Sequence, residues 1–138
     1  VSDRRRLGDE GSVLPLTLGY ALLAVVLVLV TIDATSLYLA HKRADTVADA
    51  AALAASDAFA LVIDDGAPRA LLDPADVHGL AAEVVAASGD ATLVDASTPD
   101  GMSARVTVVT VWHPPVSSMF VPDGVRIEST ATSRTVLR

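Results

Sequence analysis

The sequence predicts an α+β chain: a long N-terminal helix that crosses a membrane, followed by a small domain with a second helix and a three-stranded antiparallel sheet. Three observations carry this. Residues 13–32 are twenty positions without a charge, thirteen of them Val, Leu or Ile. Residues 33–63 then contain neither Gly nor Pro and are rich in alanine. From residue 91 onward Val and Thr dominate stretches separated by turn-forming residues.

The apolar run sets the first element. At about 1.5 Å per residue it spans roughly 30 Å as a helix, the thickness of a bilayer's hydrocarbon core. A chain of 138 residues has no core large enough to bury such a cylinder on all sides. A cleaved signal peptide competes with this reading, but its apolar core runs only about 7–15 residues. Here the helical pattern also continues through Ala34-Thr35-Ser36, so a retained single-pass anchor is expected. Arg4, Arg5 and Arg6 precede the run, against Lys42 and Arg43 after it. That bias and the larger mass beyond the span place the N-terminus in the cytoplasm and the rest outside the cell membrane.

The second element continues the first. Alanine is the best helix former, and nothing interrupts the pattern before Asp64-Asp65-Gly66-Ala67-Pro68, so the helix is expected to run through residue 63. Small apolar residues share one stripe, including Leu37, Ala40, Ala44, Ala48 and Ala51. Alanine offers little area but permits close backbone approach, so this stripe and Asp33 are expected to contact neighbouring subunits. Beyond Ala51 the same stripe is expected to cover the chain's own sheet. Asp33, at the end of the span, either pairs with a cation of a neighbouring chain or lies hydrated at the interface.

A second helix follows Asp73, a capping residue, with Pro74 at its first position and Asp76 in the first turn. Val77, Leu80, Ala81, Val84 and Val85 form its apolar face, and Gly89 ends it. Residues 91–97, 102–112 and 125–137 read as strands. In the middle one the inward set Ala104, Val106, Val108 passes to Val109 and Val111, which predicts a bulge there. His113-Pro114-Pro115 ends that strand, because proline cannot donate to the ladder. The loop behind it carries Met119 and Phe120, either as an exposed contact or folded back over the sheet edge.

The resulting organisation is a segment 1–12, a span 13–32, its continuation 33–63 and a domain 64–138. From His41 onward there are seven Lys and Arg against thirteen Asp and Glu. An acidic surface repels phosphates, so nucleic acid is not an expected partner. No cysteine is present, hence no disulfide and no thiolate metal site. His41, His78 and His113 lack metal-ligand spacing, and no phosphate loop, HExxH or GxSxG motif occurs. No catalytic, cofactor-binding or metal-binding residue is assigned, and an enzyme is not expected.

A Gly-Ser pair ahead of an apolar span, an Asp where the span ends, then an aliphatic link into Asp-x-Ala-Ala-Leu-Ala-Ala make up a recurring order. Here these are Gly11-Ser12, Asp33-Ala34, Leu37-Tyr38-Leu39 and Asp49-Ala50-Ala51-Ala52-Leu53-Ala54-Ala55. Over residues 11–56 the chain resembles the TadE/TadG-like proteins of Flp (Tad) pilus assembly. The resemblance implies a pilin-like membrane protein of a bacterial envelope, a minor pilin or assembly component, working beside other pilin-like or Tad subunits or copies of itself. It also makes Gly11-Ser12 a candidate leader junction. Type IV pilin leaders are cut after Gly and carry Glu at the fifth mature position, where cleavage after Gly11 puts Leu16. The alternative function is a membrane-tethered extracytoplasmic binding or scaffold domain unrelated to pili.

Overall fold

The computed structural model describes residues 13–134; Arg4–Arg6, the Gly11-Ser12 junction and the expected end of the last strand lie outside them. The first helix, α1, spans Val13–Ser56, 44 residues or about 65 Å. Two strands follow, β1 at Phe59–Asp64 and β2 at Ala67–Leu72. Helix α2 covers Pro74–Ser88, and the strands β3 at Thr92–Ser97, β4 at Ser103–Trp112 and β5 at Val125–Arg134 complete the chain. The three form one antiparallel sheet in the order β3-β4-β5. The α+β class is thus as expected, with the second helix and the three-stranded sheet in place.

α1 ends seven residues before the expected position, at Ser56 rather than 63. The run Phe59-Ala60-Leu61-Val62-Ile63 is aromatic and β-branched, and it pairs with β2 in continuous register from Phe59↔Leu72 to Asp64↔Ala67. Asp65 and Gly66, both at positive φ (50° and 80°), make the two-residue hairpin turn. Residues taken for a helix stop are therefore a strand-reversing turn. The hairpin stands off the sheet, both faces exposed along β1, and is held at its base by buried Leu72, whose N–H donates to the Gly101 carbonyl at 2.9 Å.

α2 has the expected ends: Asp73 accepts from the Ala75 N–H at 2.7 Å, and Gly89 closes the helix in the left-handed region. Between β3 and β4, Asp100 accepts from the N–H groups of Met102 and Ser103 and from the Ser103 hydroxyl. These bonds stabilise its ionised form and hold its carboxyl below the ordinary value.

The helices form one layer over the sheet. α1 lies across β4 and β5 and beside α2, which in turn covers β3. The core between the layers holds Ala44, Ala48, Ala51, Ala52 and Ala55 of α1, Val77, Ala81 and Val85 of α2, Ala104, Val106 and Val108 of β4, and Ile127 of β5. With alanine supplying the helix side, the backbone sits close to the sheet, and the valines fill the space. Each buried valine contributes about 1.5 kcal/mol or more. The opposite sheet face is mixed, with Thr107 and Thr130 hydroxyls 2.9 Å apart and Val111 exposed.

The expected bulge is displaced. β4 pairs with β5 in unbroken register from Ser103↔Arg134 to Trp112↔Val125. The irregularity lies on β3, between Leu93 and Asp95, leaving Val94 exposed. β4 therefore keeps one inward set, Ala104, Val106, Val108, Thr110 and Trp112, and Val111 points outward. A central strand bonded on both sides resists an extra residue, whereas an edge strand accommodates one.

Candidate functional site

Among the described residues no group of three or more His, Cys, Asp or Glu is placed to hold a metal. His41 and His78 lie exposed on their helices, and His113 stands at the exit of β4. A groove between α1, the end of α2 and β4 is rimmed by Arg43, Asp90 and His113, but its Thr110 hydroxyl donates to the Asp90 carbonyl at 2.8 Å. No hydrogen-bonded pair of nucleophile and base faces that groove among the described residues. The informative geometry is instead the division of α1 into a clamped face and bare ones.

Four side-chain links fasten α1 to the β4–β5 hairpin. Asp33 accepts the Val116 N–H on Oδ1 at 3.1 Å and the Ser117 hydroxyl on Oδ2 at 2.6 Å. The Trp112 indole N–H donates to Ser36 Oγ at 3.0 Å. Ser129 donates to Asp45 Oδ1 at 2.7 Å, and the Ser56 and Ser133 hydroxyls meet at 3.2 Å. β5 thus runs along the helix and β4 runs back against it. The Ser129 bond, with the Lys42 charge at 3.5 Å, holds the Asp45 carboxyl below its ordinary value despite opposing desolvation.

The expected contact residues divide accordingly. Ala44, Ala48 and Ala51 are buried in the core that α1 shares with α2 and the chain's own sheet. Only the part beyond Ala51 was expected to cover the sheet; the covering begins two turns earlier because β5 and α2 together flank that stretch. Leu37 and Ala40 are half-buried beside it. Asp33 is not bare: its two oxygens hold the β4–β5 loop. Sequence reasoning missed the β1–β2 hairpin, although a β-branched run before Asp-Gly is its ordinary signal. It also missed the Trp112–Ser36 link, for which no local signal exists.

What α1 leaves bare is equally definite. The most apolar eighteen-residue stretch of α1, long and apolar enough to cross a membrane, is entirely unburied. Beyond it Tyr38, Leu39 and Leu53 are exposed on the side away from the sheet. The loop residues Met119 and Phe120 are 84% and 82% exposed, which decides for the outward-facing reading of that loop. Pro114, at the start of the same loop, is fully buried.

The Flp pilus-assembly TadE/G-like family model matches residues 11–66, which is α1, β1 and the turn that follows. The segment that carries the resemblance is the segment matched, and it supports a role connected with the Flp pilus. α2 and the three-stranded sheet lie beyond it. No curated protein and no solved structure matches the chain.

Proposed function

We propose that this is a single-pass, pilin-like membrane protein that acts in Flp-type pilus assembly, as a minor pilin or an assembly component, with its N-terminus cytoplasmic and its domain extracytoplasmic. The observation that carries the reading is an overlap. The family match includes all of α1, and the most apolar stretch of α1 is left unburied by the described residues. Lipid satisfies the residues 13–32, and related helices or a second copy satisfy the bare outer face at Tyr38, Leu39 and Leu53. The acidic domain argues against nucleic acid, and the match to a pilus-assembly family favours a structural role over a catalytic one.

Photo-crosslinkers placed at Leu39 and Leu53 in pilus-producing cells test this. Adducts with other pilin-like subunits or with a second copy are expected, together with loss of pili when the gene is deleted. Monomer alone with normal piliation would overturn the reading and leave a tethered scaffold domain as the better account. Orientation is tested separately: protease added to wall-stripped cells should remove the domain, and its protection would reverse the topology.

A further inference from the structure

The β4–β5 loop, residues 113–124, carries an inference of its own. β4 runs back along α1 toward the span, so its exit lands where the span ends, and Asp33 holds it there through Val116 and Ser117. The loop reaches past that point. Val116 and Phe120 line one groove with Val26, Leu29 and Val30, and Val26 lies seven residues, about 10 Å, before Asp33 on the helix. Phe120 therefore stands beside the last turns of the apolar run, next to Met119, and the two are among the most exposed apolar side chains of the domain.

We propose that this loop is a second membrane-contact element, lying in the headgroup–acyl boundary with Met119 and Phe120 among the acyl chains. The proposal rests on residues 13–32 being a bilayer span. Three further observations fit lipid as the occupant. Residues 106–122 form the longest uncharged stretch outside the span, in a chain of net charge −7. Backbone entering a medium poor in water must satisfy its donors internally. Part of the loop meets this: the N–H groups of Val116, Phe120, Val121 and Gly124 are bonded within the chain, and Pro114, Pro115 and Pro122 have none to satisfy. Trp112, whose indole N–H is fixed on Ser36, lines the same groove at the depth where interfacial tryptophans are found. The groove is also continuous with the span itself, so the lipid that surrounds the helix reaches it without any protein partner. The span and the loop together give the domain two fixed points on the bilayer, which set its depth and its rotation about α1.

The chain contains no cysteine, so single labels can be placed at will. The full chain is reconstituted in phosphatidylcholine–phosphatidylglycerol vesicles, with a nitroxide on Met119→Cys or, in a second variant, Phe120→Cys. Accessibility to oxygen, which concentrates in the bilayer, is compared with accessibility to a water-soluble nickel chelate. Leu23→Cys in the span and Ile63→Cys on the distant hairpin are the two references. The expected result is an oxygen-to-nickel ratio at Met119→Cys and Phe120→Cys well above that at Ile63→Cys and below that at Leu23→Cys. A ratio equal to that of Ile63→Cys, with Leu23→Cys still favouring oxygen, would overturn the loop proposal and leave the anchor standing. All positions favouring nickel would overturn the span and the loop together. Shielding from both reagents, with line broadening that disappears on dilution by unlabelled protein, would put a second copy on the loop and overturn the lipid assignment.

Discussion

Asp33 shows how one side chain couples the membrane edge to the domain. Its carboxylate accepts two hydrogen bonds from the β4–β5 loop, and bonds to a charged group contribute more than neutral ones, here about 1–2 kcal/mol after allowing for exposure. Asp33→Ala in detergent micelles is therefore expected to speed amide exchange at Val116 and through the loop while leaving the β4–β5 ladder protected. An unchanged exchange pattern would mean the carboxylate merely marks the interface. Asp45 makes a different prediction. Its folded-state carboxyl titrates below the ordinary value because the Ser129 hydroxyl, first of all, stabilises the anion. A depressed value means the contribution to stability is complete above the unfolded carboxyl's value and fades as pH falls below about 4. Ser129→Ala should flatten that acid limb of the stability curve, measured by thermal melts from pH 7 downward, without altering the neutral-pH fold.

At the scale of the element, the alanine stripe of α1 is a packing surface for this chain's own sheet. Ala48 and Ala51 are fully buried in the core, so Ala48→Leu or Ala51→Leu should destabilise the isolated, detergent-solubilised protein by about 1–3 kcal/mol through overpacking. Had the stripe been a seam between subunits, the same substitutions would leave the monomer's melting temperature unmoved and act only on assembly. The opposite face, with Leu39 and Leu53 exposed, is where substitutions should spare the fold. The β1–β2 hairpin belongs to this scale too. Its strands expose Leu61, Val62 and Ile63 and are closed by Asp65 and Gly66 at positive φ, a conformation that a non-glycine residue at position 66 would adopt only with strain.

For the whole molecule, α1 is one rod with two environments. The most apolar stretch of its first half is unburied, and its second half supplies five alanines to the core. A chain shortened to begin just before Asp33 should remain folded and leave the membrane, because every described helix–sheet link is retained. A chain beginning at Asp57 should not fold, since the sheet and α2 would lose the layer they share. Circular dichroism and amide exchange on the two shortened chains check this. A folded domain from residue 57 onward would show that α1 only rests on the sheet. The domain packs on the second half of α1, and the β1–β2 hairpin follows the C-terminal end of that helix.

The local signals in the sequence determined the apolar span, the capped second helix, the three strands and the resemblance that the family match bears out. Each depends on neighbours in the chain: the length of an uncharged run, Asp73 before Pro74, Gly89 after the helix, Val and Thr in alternation. Even the β1–β2 hairpin was legible in the Asp-Gly turn, but the helix propensity of the alanines upstream outweighed it in the reading. What only the tertiary structure decided is which face of α1 is buried, what Asp33 bonds, where the sheet irregularity falls, and that Met119 and Phe120 face outward. Those outcomes hang on pairs such as Asp33 with Val116, 83 positions apart. An alanine stripe is equally suited to a sheet, a second helix or another subunit, and a carboxylate at a membrane edge to water or to a hydroxyl. Only the path of β4 back along the helix brings the particular partner within reach.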